Sequence, residues 1–448
     1  MKGGPMPSLF DLRAHAREIF FAGLSAAEPL AAINNSVQRQ AQRLQVGEHF
    51  FDLDQFHRIY ITGCGKAAAR MAQAMEALIG DRLAGGIVVV KYGHGLKLQT
   101  TEVIEAGHPV PDDAGLHGAR RIAELLQQCN KDDLVFFLLS GGGSALLPYP
   151  AEGLSLVDKQ RTTEALLKCG ANIFEINAMR KHLSRMKGGQ LARLAAPATL
   201  ISLVLSDVVG DSLETIASGP TVPDSSTYGD CLDIIQRYQL GEKVPSAVLD
   251  YLEAGARGQI AETPKDLSGI FERVQNVIVG NIWTALGSSL RRAEELGYQT
   301  RVFSAAVQGE SRVVARSFAA LLKEIAANNS PISRPACVLG GGETTVTVRG
   351  DGLGGRNQEF ALSAAIELNG VNQVVVLSAG SDGTDGPTAA AGGIVDGTTV
   401  ERAIAQGLDP AAFLDRNDAY HLLQATHDLL FTGPTLTNVM DLQVGLVA

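Results

Sequence analysis

Aromatic side chains are scarce in this chain, with one tryptophan and 5% Phe, Trp and Tyr together among 448 residues. Few platforms are left on which nucleobases could stack. A basic surface is missing as well, since 38 lysines and arginines face 48 acidic residues for a formal charge of −10. Nucleic-acid backbones are held by concentrated positive charge, so this balance argues against such a partner. The five cysteines, at 64, 129, 169, 231 and 337, are odd in number, widely spaced and free of any CxxC. That excludes a disulfide framework and a zinc site of familiar spacing. Long hydrophobic runs are absent: stretches such as residues 134–139 are far too short to cross a bilayer. The opening MKGGPMPSLF carries no apolar signal segment, so a cytoplasmic protein away from membranes is expected.

Glycine, by contrast, is in excess: 49 of 448 residues, about 11% against a usual level of about 7%. There is no Gly-X-Y period, which rules out a collagen-like fibre. The glycines stand in short runs beside apolar segments, as expected where backbone must approach a ligand closely. With 45% hydrophobic residues the chain can bury large cores, and its length suggests two or three domains.

Residues 8–46 read as two helices, the first opened by Ser8 with Asp11 three positions on, a capping-box spacing. From residue 57, β-branched runs at 58–62, 86–90, 134–139 and 199–205 alternate with helical patterns at 67–79, 114–128 and 156–169. Such alternation predicts a parallel, doubly wound α/β sheet. The Pro-containing stretch 223–270 reads as an interdomain connector. Alternation then resumes, with strands expected at 274–279, 299–303, 336–339, 344–348 and 373–377 and helices at 284–296, 311–327 and 358–368. The expected fold is therefore two Rossmann-like α/β domains, residues 1–240 and 241–448, the second with a mixed sheet.

The glycine runs mark candidate sites. Gly63-Cys64-Gly65-Lys66-Ala67-Ala68 follows a strand and opens a helix, fitting the G-x-G-x-x-A dinucleotide pattern. The next strand, however, ends in Lys91-Tyr92-Gly93-His94, where a NAD enzyme would carry an acid for the ribose hydroxyls. What remains is a helix N-terminus with an adjacent cation, suited to phosphate or carboxylate, or else a tight turn with a solvent-facing lysine. Ser140-Gly141-Gly142-Gly143-Ser144, after a very apolar strand, reads as an anion nest or as a structural glycine loop. Asp207, in Ser206-Asp207-Val208-Val209-Gly210-Asp211, has the place of a Mg²⁺ ligand beside phosphates, or of an Asx turn. In the second half, Gly340-Gly341-Gly342-Glu343 and Gly354-Gly355-Arg356-Asn357-Gln358-Glu359 surround an arginine suited to a carboxylate or phosphate. Asp382, in Ser381-Asp382-Gly383-Thr384-Asp385-Gly386, suggests a metal or hydroxyl contact, although Asp-Gly pairs also make ordinary turns. His94 and His108 lack metal-ligand spacing. The basic stretch 177–189 reads either as a solvated helix face or as a surface toward an anionic substrate.

Taken in order, GCGKAA, EAGHPVPD, LLSGGGSALL, NAMRKHLSRMKGG, SDVVGD, ASGPTVPD, GGETTVTV, GGRNQE and SAGSDGTDGPTAAAGG resemble the class II glycerate 2-kinases. That family carries a C-terminal MOFRL region, and some members have been labelled hydroxypyruvate reductases. The resemblance runs from about residue 60 to 400 and implies ATP- and Mg²⁺-dependent phosphorylation of D-glycerate at its 2-hydroxyl. It implies a cleft between two α/β domains, with Lys66 and Arg356 most closely tied to activity. Gly63, Gly65 and the 140–144 loop are then expected to bind ATP phosphates and Lys66 to stabilise the transferring group, while Arg356 clamps the glycerate carboxylate or that same group and Glu343 and Asn357 contact glycerate. Asp207 and Asp382 bind metal, or Asp382 serves as base. The rival expectation is an NAD(P)H-dependent hydroxypyruvate reductase. The oligomeric state stays open, a homo-oligomer included.

Overall fold

The computed structural model describes residues 7–448. The chain forms two compact units, one made of Pro29–Val279 and the other of residues up to Glu28 together with Gly280–Ala448. The division thus falls near 279 rather than at 240, and the first helix, Leu9–Ala26, joins the C-terminal unit. Its start has the expected cap, Ser8 and Asp11 exchanging hydrogen bonds. Arg13 then fixes it, reaching Asp396 at 2.5 Å and Asp428 at 2.8 Å.

In the Pro29–Val279 unit a small antiparallel sheet comes first: β1 (Val37–Gln40), β2 (Arg43–Val46) and β3 (His49–Asp52). The second of the two expected helices therefore stops at Ser36. Residues 43–46 alternate in burial, a period of two that suits a strand better than a helix turn. The main sheet has β4 (Arg58–Cys64), β5 (Leu83–Lys91), β6 (Thr101–Ala106), β7 (Asp133–Leu139), β8 (Thr199–Leu205) and β9 (Val274–Gly280). Its order is β6-β5-β4-β7-β8-β9, and every pairing from β6 to β8 is parallel. All seven residues of β7 are buried, as expected of a strand covered on both faces. The chain winds outward from β4 through β5 and β6, then returns to place β7 on the opposite side. This makes β4 and β7 the topological switch point, where open α/β sheets bind ligands at the carboxyl ends of their strands.

The stretch 223–270 is no linker. Its helices Tyr228–Arg237 and Ser246–Ala256 bury Tyr228, Cys231, Val248 and Leu252 against Ile176, Met179 and Leu183, a core of its own.

The second unit has a six-stranded sheet of β10 (Gln299–Val307), β11 (Ala336–Gly342), β12 (Val374–Gly380), β13 (Gly392–Asp396), β14 (Leu429–Leu430) and β15 (Asp441–Val447). The order is β10-β11-β15-β12-β13-β14, with β10–β11 parallel and the rest antiparallel. The sheet is mixed as expected, yet for a different reason. Residues 344–348 form no strand, only a bridge between Thr345 and Glu310. The antiparallel member at the centre is β15, from the end of the chain. No described helix is long and apolar enough to cross a membrane.

Candidate active site

The loops after β4 and β7 lock into one another. Lys66 N–H donates to the Gly141 carbonyl at 2.8 Å, and Ala67 N–H donates to Ser140 Oγ at 3.0 Å. Gly65 sits at φ +130°, and a Cβ there would lie 2.2 Å from Ser140 Oγ. Only glycine fits. This corrects the expectation for Gly63 and Gly65, since the amides at the start of the following helix, Ala68–Ile79, are spent on the 140–144 loop. The loop, by contrast, lines an opening. Gly142, at φ +86°, faces the His108 ring, and a side chain there would also meet Lys66. Gly143 begins a four-residue helix, Gly143–Leu146.

A cavity of about 210 Å³ is lined by Ser140, Gly142, Ser144, His108, Arg180 and Asp207, among others. The 140–144 loop and Asp207 thus line one cavity, and Lys66 lies beside Gly142 of that loop. Burial first, then the charges of Lys66 and Lys91, depress the His108 pKa to about 4, so its imidazole is neutral at physiological pH. The Ser144 hydroxyl accepts from Lys187 Nζ at 3.1 Å and lies 3.4 Å from Ser218 Oγ. Ala217, Ser218 and Gly219, which follow the Asp207 segment, all have positive φ, a strained run beside the same cavity.

The basic stretch 177–189 runs through the helix Ile173–His182 and the turn after it. In the structure Lys181, His182 and Lys187 are buried, so it is not a solvated face. Lys187 holds the Ser144 carbonyl at 2.8 Å and reaches Ala217 O at 3.4 Å.

The second cluster gathers around Arg356 at the start of the helix Arg356–Glu367. Arg356 grips Asp441 with Nε at 2.6 Å and Nη2 at 3.0 Å, while Nη1 donates to Glu343 at 2.7 Å. Burial alone would lower the guanidinium pKa, but Asp441 and Glu343 hold it above its ordinary value. Asp441 is 1% exposed on its side chain, whereas Glu343 is about half exposed. Asp382 is near, since a Cβ on Gly380 would stand 3.5 Å from a carboxylate oxygen of both Asp382 and Asp441. Asp382 also accepts from Thr384 N–H at 3.1 Å, so it closes an Asx-type turn as well. Asn357, expected to contact substrate, is 2% exposed. It donates to Asp385 and accepts from Ser378 Oγ at 2.7 Å, which places it beneath the surface as support.

Asp385, three residues beyond Asp382, is 3% exposed. Its carboxylate accepts the backbone N–H groups of Asn357 at 3.0 Å and Gln358 at 2.9 Å, taking the helix N-terminus that an external anion would otherwise use. Burial raises its pKa from 3.8 to about 6 in spite of those donors. A carboxyl so raised contributes stability that is fully present below pH 3.8 and lost as pH rises through about 6. Asp385→Asn therefore gains stability relative to the parent as pH moves from 4 to 7.5. Urea midpoints at the two pH values measure this, and an unchanged difference would refute it.

Among the described residues no three His, Cys, Asp or Glu side chains are grouped to hold a metal. Asp207 alone in its cavity fits a magnesium ion that arrives on nucleotide phosphates, because Mg²⁺ keeps waters and shares phosphate oxygens.

Family models match twice, a domain of unknown function, DUF4147, over residues 15–253 and the MOFRL family over 336–441. The chain is 46% identical to the D-glycerate 2-kinase of Thermotoga maritima, covering 87% of this chain and 91% of that protein. It is 40% identical to the glycerate 2-kinase of Pyrococcus horikoshii, covering 98% of each. The crystal structure of a glycerate kinase from Thermotoga maritima superposes with a TM-score of 0.88 at 42% identity, over 98% of this chain and all of that one. The chain belongs to the MOFRL-containing class II glycerate 2-kinase family.

Proposed function

We propose that this protein transfers the γ-phosphoryl group of Mg²⁺-bound ATP to the 2-hydroxyl of D-glycerate, giving 2-phosphoglycerate and ADP. The glycerate oxygen bonds to the γ-phosphorus as the bond from that phosphorus to the β,γ-bridging oxygen breaks, and the hydroxyl proton passes to a base. Phosphoryl transfer of this kind asks the protein mainly to position reactants and neutralise charge. The observation that carries the reading is the switch-point site. The 140–144 loop and Asp207 line one cavity, and Lys66 lies beside Gly142 of that loop, in a chain similar along its length to proteins named glycerate 2-kinase. Lys66 stabilises the transferring group, and Asp207 holds the metal of the metal–nucleotide substrate. Arg356, steadied by Asp441, clamps the glycerate carboxylate, and Asp382 takes the hydroxyl proton.

The reductase alternative is weakened at the same loop. The amides of Lys66 and Ala67 that would cradle a pyrophosphate are engaged by Gly141 and Ser140, and β5 ends in Lys91 rather than an acid. The test is product analysis. Incubation with D-glycerate and Mg²⁺-ATP, coupled to enolase without a mutase, yields phosphoenolpyruvate absorbance only if the 2-phosphate forms. Formation of 3-phosphoglycerate instead, or NAD(P)H oxidation with hydroxypyruvate, would overturn the proposal.

A further inference from the structure

Beside the loop cavity lies a larger one of about 420 Å³, within the usual range for small-molecule sites. Ser144, Ala145, Pro109 and Arg180 line both, so the two are continuous along the 140–144 loop. Val110, Pro148 and Leu167 give the larger cavity an apolar wall, and Lys159, Arg180 and Lys187 give it three cations.

Those cations lack counter-charges. Lys159 is only 8% exposed, and its Nζ has no hydrogen-bond partner. Lys187, 2% exposed, donates only to neutral oxygens of Ser144 and Ala217. Arg180 has no ion pair among the described residues. Glu164, the one carboxylate on the lining, is paired with Lys168 at 2.6 Å. Burying an ammonium without a partner is among the most expensive arrangements a fold can hold. Burial, then the neighbouring Arg180, draws the Lys187 pKa down to about 7, and burial with Lys187 and Arg180 draws Lys159 well below its ordinary value. An arrangement this strained is relieved when an anion enters. A monocarboxylate such as glycerate supplies one negative charge for three cations, whereas a polyphosphate supplies several.

We propose that this cavity is the nucleotide site, with Lys159 and Arg180 donating to the polyphosphate chain and the Val110–Pro148–Leu167 wall receiving the nucleoside. The chain of phosphates then runs along the 140–144 loop toward the cavity of Asp207 and His108, where its terminal group reacts. This assignment rests on the kinase reading and adds to it the residues that hold the donor.

Calorimetric titration of the full-length protein with ATP, inorganic tripolyphosphate and D-glycerate tests it, using Lys159→Met and, as a control outside the cavity cations, Lys168→Met. Lys159→Met removes a buried amine that has no hydrogen-bond partner while keeping most of the side-chain volume, so the variant melts at or above the parent temperature. It weakens ATP and tripolyphosphate by about tenfold or more, as loss of a charge-assisted bond requires, and leaves glycerate affinity unchanged. Arg180→Met gives the same pattern and serves if Lys159→Met does not fold. Unchanged tripolyphosphate and ATP affinity in both variants, or weakened glycerate binding alone, would overturn the assignment. Lys159-dependent tripolyphosphate binding in a protein that forms no 2-phosphoglycerate would uphold the cavity and refute the kinase reading separately.

Discussion

Arg356→Ala lowers kcat/KM for glycerate phosphorylation by about 10³-fold, the scale on which removal of a preorganised charge-stabilising donor acts. It also destabilises the fold, because Asp441 loses a bidentate partner while its own side chain stays 1% exposed. Stranding one member of a buried pair typically costs about 3–5 kcal/mol. Arg356 is itself about one-third exposed, so the lower end of that range applies here, about 3 kcal/mol. Two effects in one variant need separating. Arg356→Lys keeps the charge but loses the planar fork, so it recovers part of the stability and little of the activity. Activity is read well below each variant's melting temperature, and stability is read by urea unfolding at the same temperature. If Arg356→Ala lost stability but kept kcat/KM near that of the parent, Arg356 would be only the partner of Asp441.

How far these roles were legible in the sequence differs between the two units. In the first, strand–helix alternation and glycine runs carried real information, because a parallel sheet places its ligand loops after its strands. The 140–144 loop and Asp207, both placed after strands by that reading, line one cavity, with Lys66 beside Gly142. Its error was to treat the G-x-G-x-x-A loop as a ligand cradle. Gly65 is glycine to let Ser140 approach, a contact between residues 75 positions apart that no local pattern displays. In the second unit Arg356 stood out as an always-charged side chain in a glycine loop, but Asp441 did not. Its strand is central and fully buried, so it lacks the alternation that marks half-exposed strands, and its pairing with Arg356 is long-range. The stretch 223–270 misled for a related reason. Prolines suggested a linker, whereas Tyr228 and Leu252 bury against helices more than 40 residues earlier. Lys159 gave no signal at all, being one charged residue in an ordinary amphipathic helix, Leu156–Lys168.

Lys66→Ala lowers activity steeply while the backbone junction of its loops is retained. Alanine keeps the two backbone bonds by which residue 66 joins the loops, its N–H to Gly141 O and its carbonyl to the His94 ring. The side chain is half-buried beside Gly142 and His108, where it can act on a ligand in the loop cavity. If it neutralises charge that develops on the transferring phosphoryl group, kcat and kcat/KM fall together by about 10²–10³-fold while KM holds. A rise in KM at constant kcat would instead make Lys66 a ground-state anchor and refute this role. An independent readout comes from His108. After burial, the Lys66 charge is the largest cause of its low pKa of about 4. Removing that charge therefore moves the His108 titration upward, toward the ordinary imidazole value, which NMR of the ring protons follows directly. A variant that lost turnover while His108 still titrated at its parent pKa would mean that the ammonium does not face this cavity, and the rate loss would need another cause.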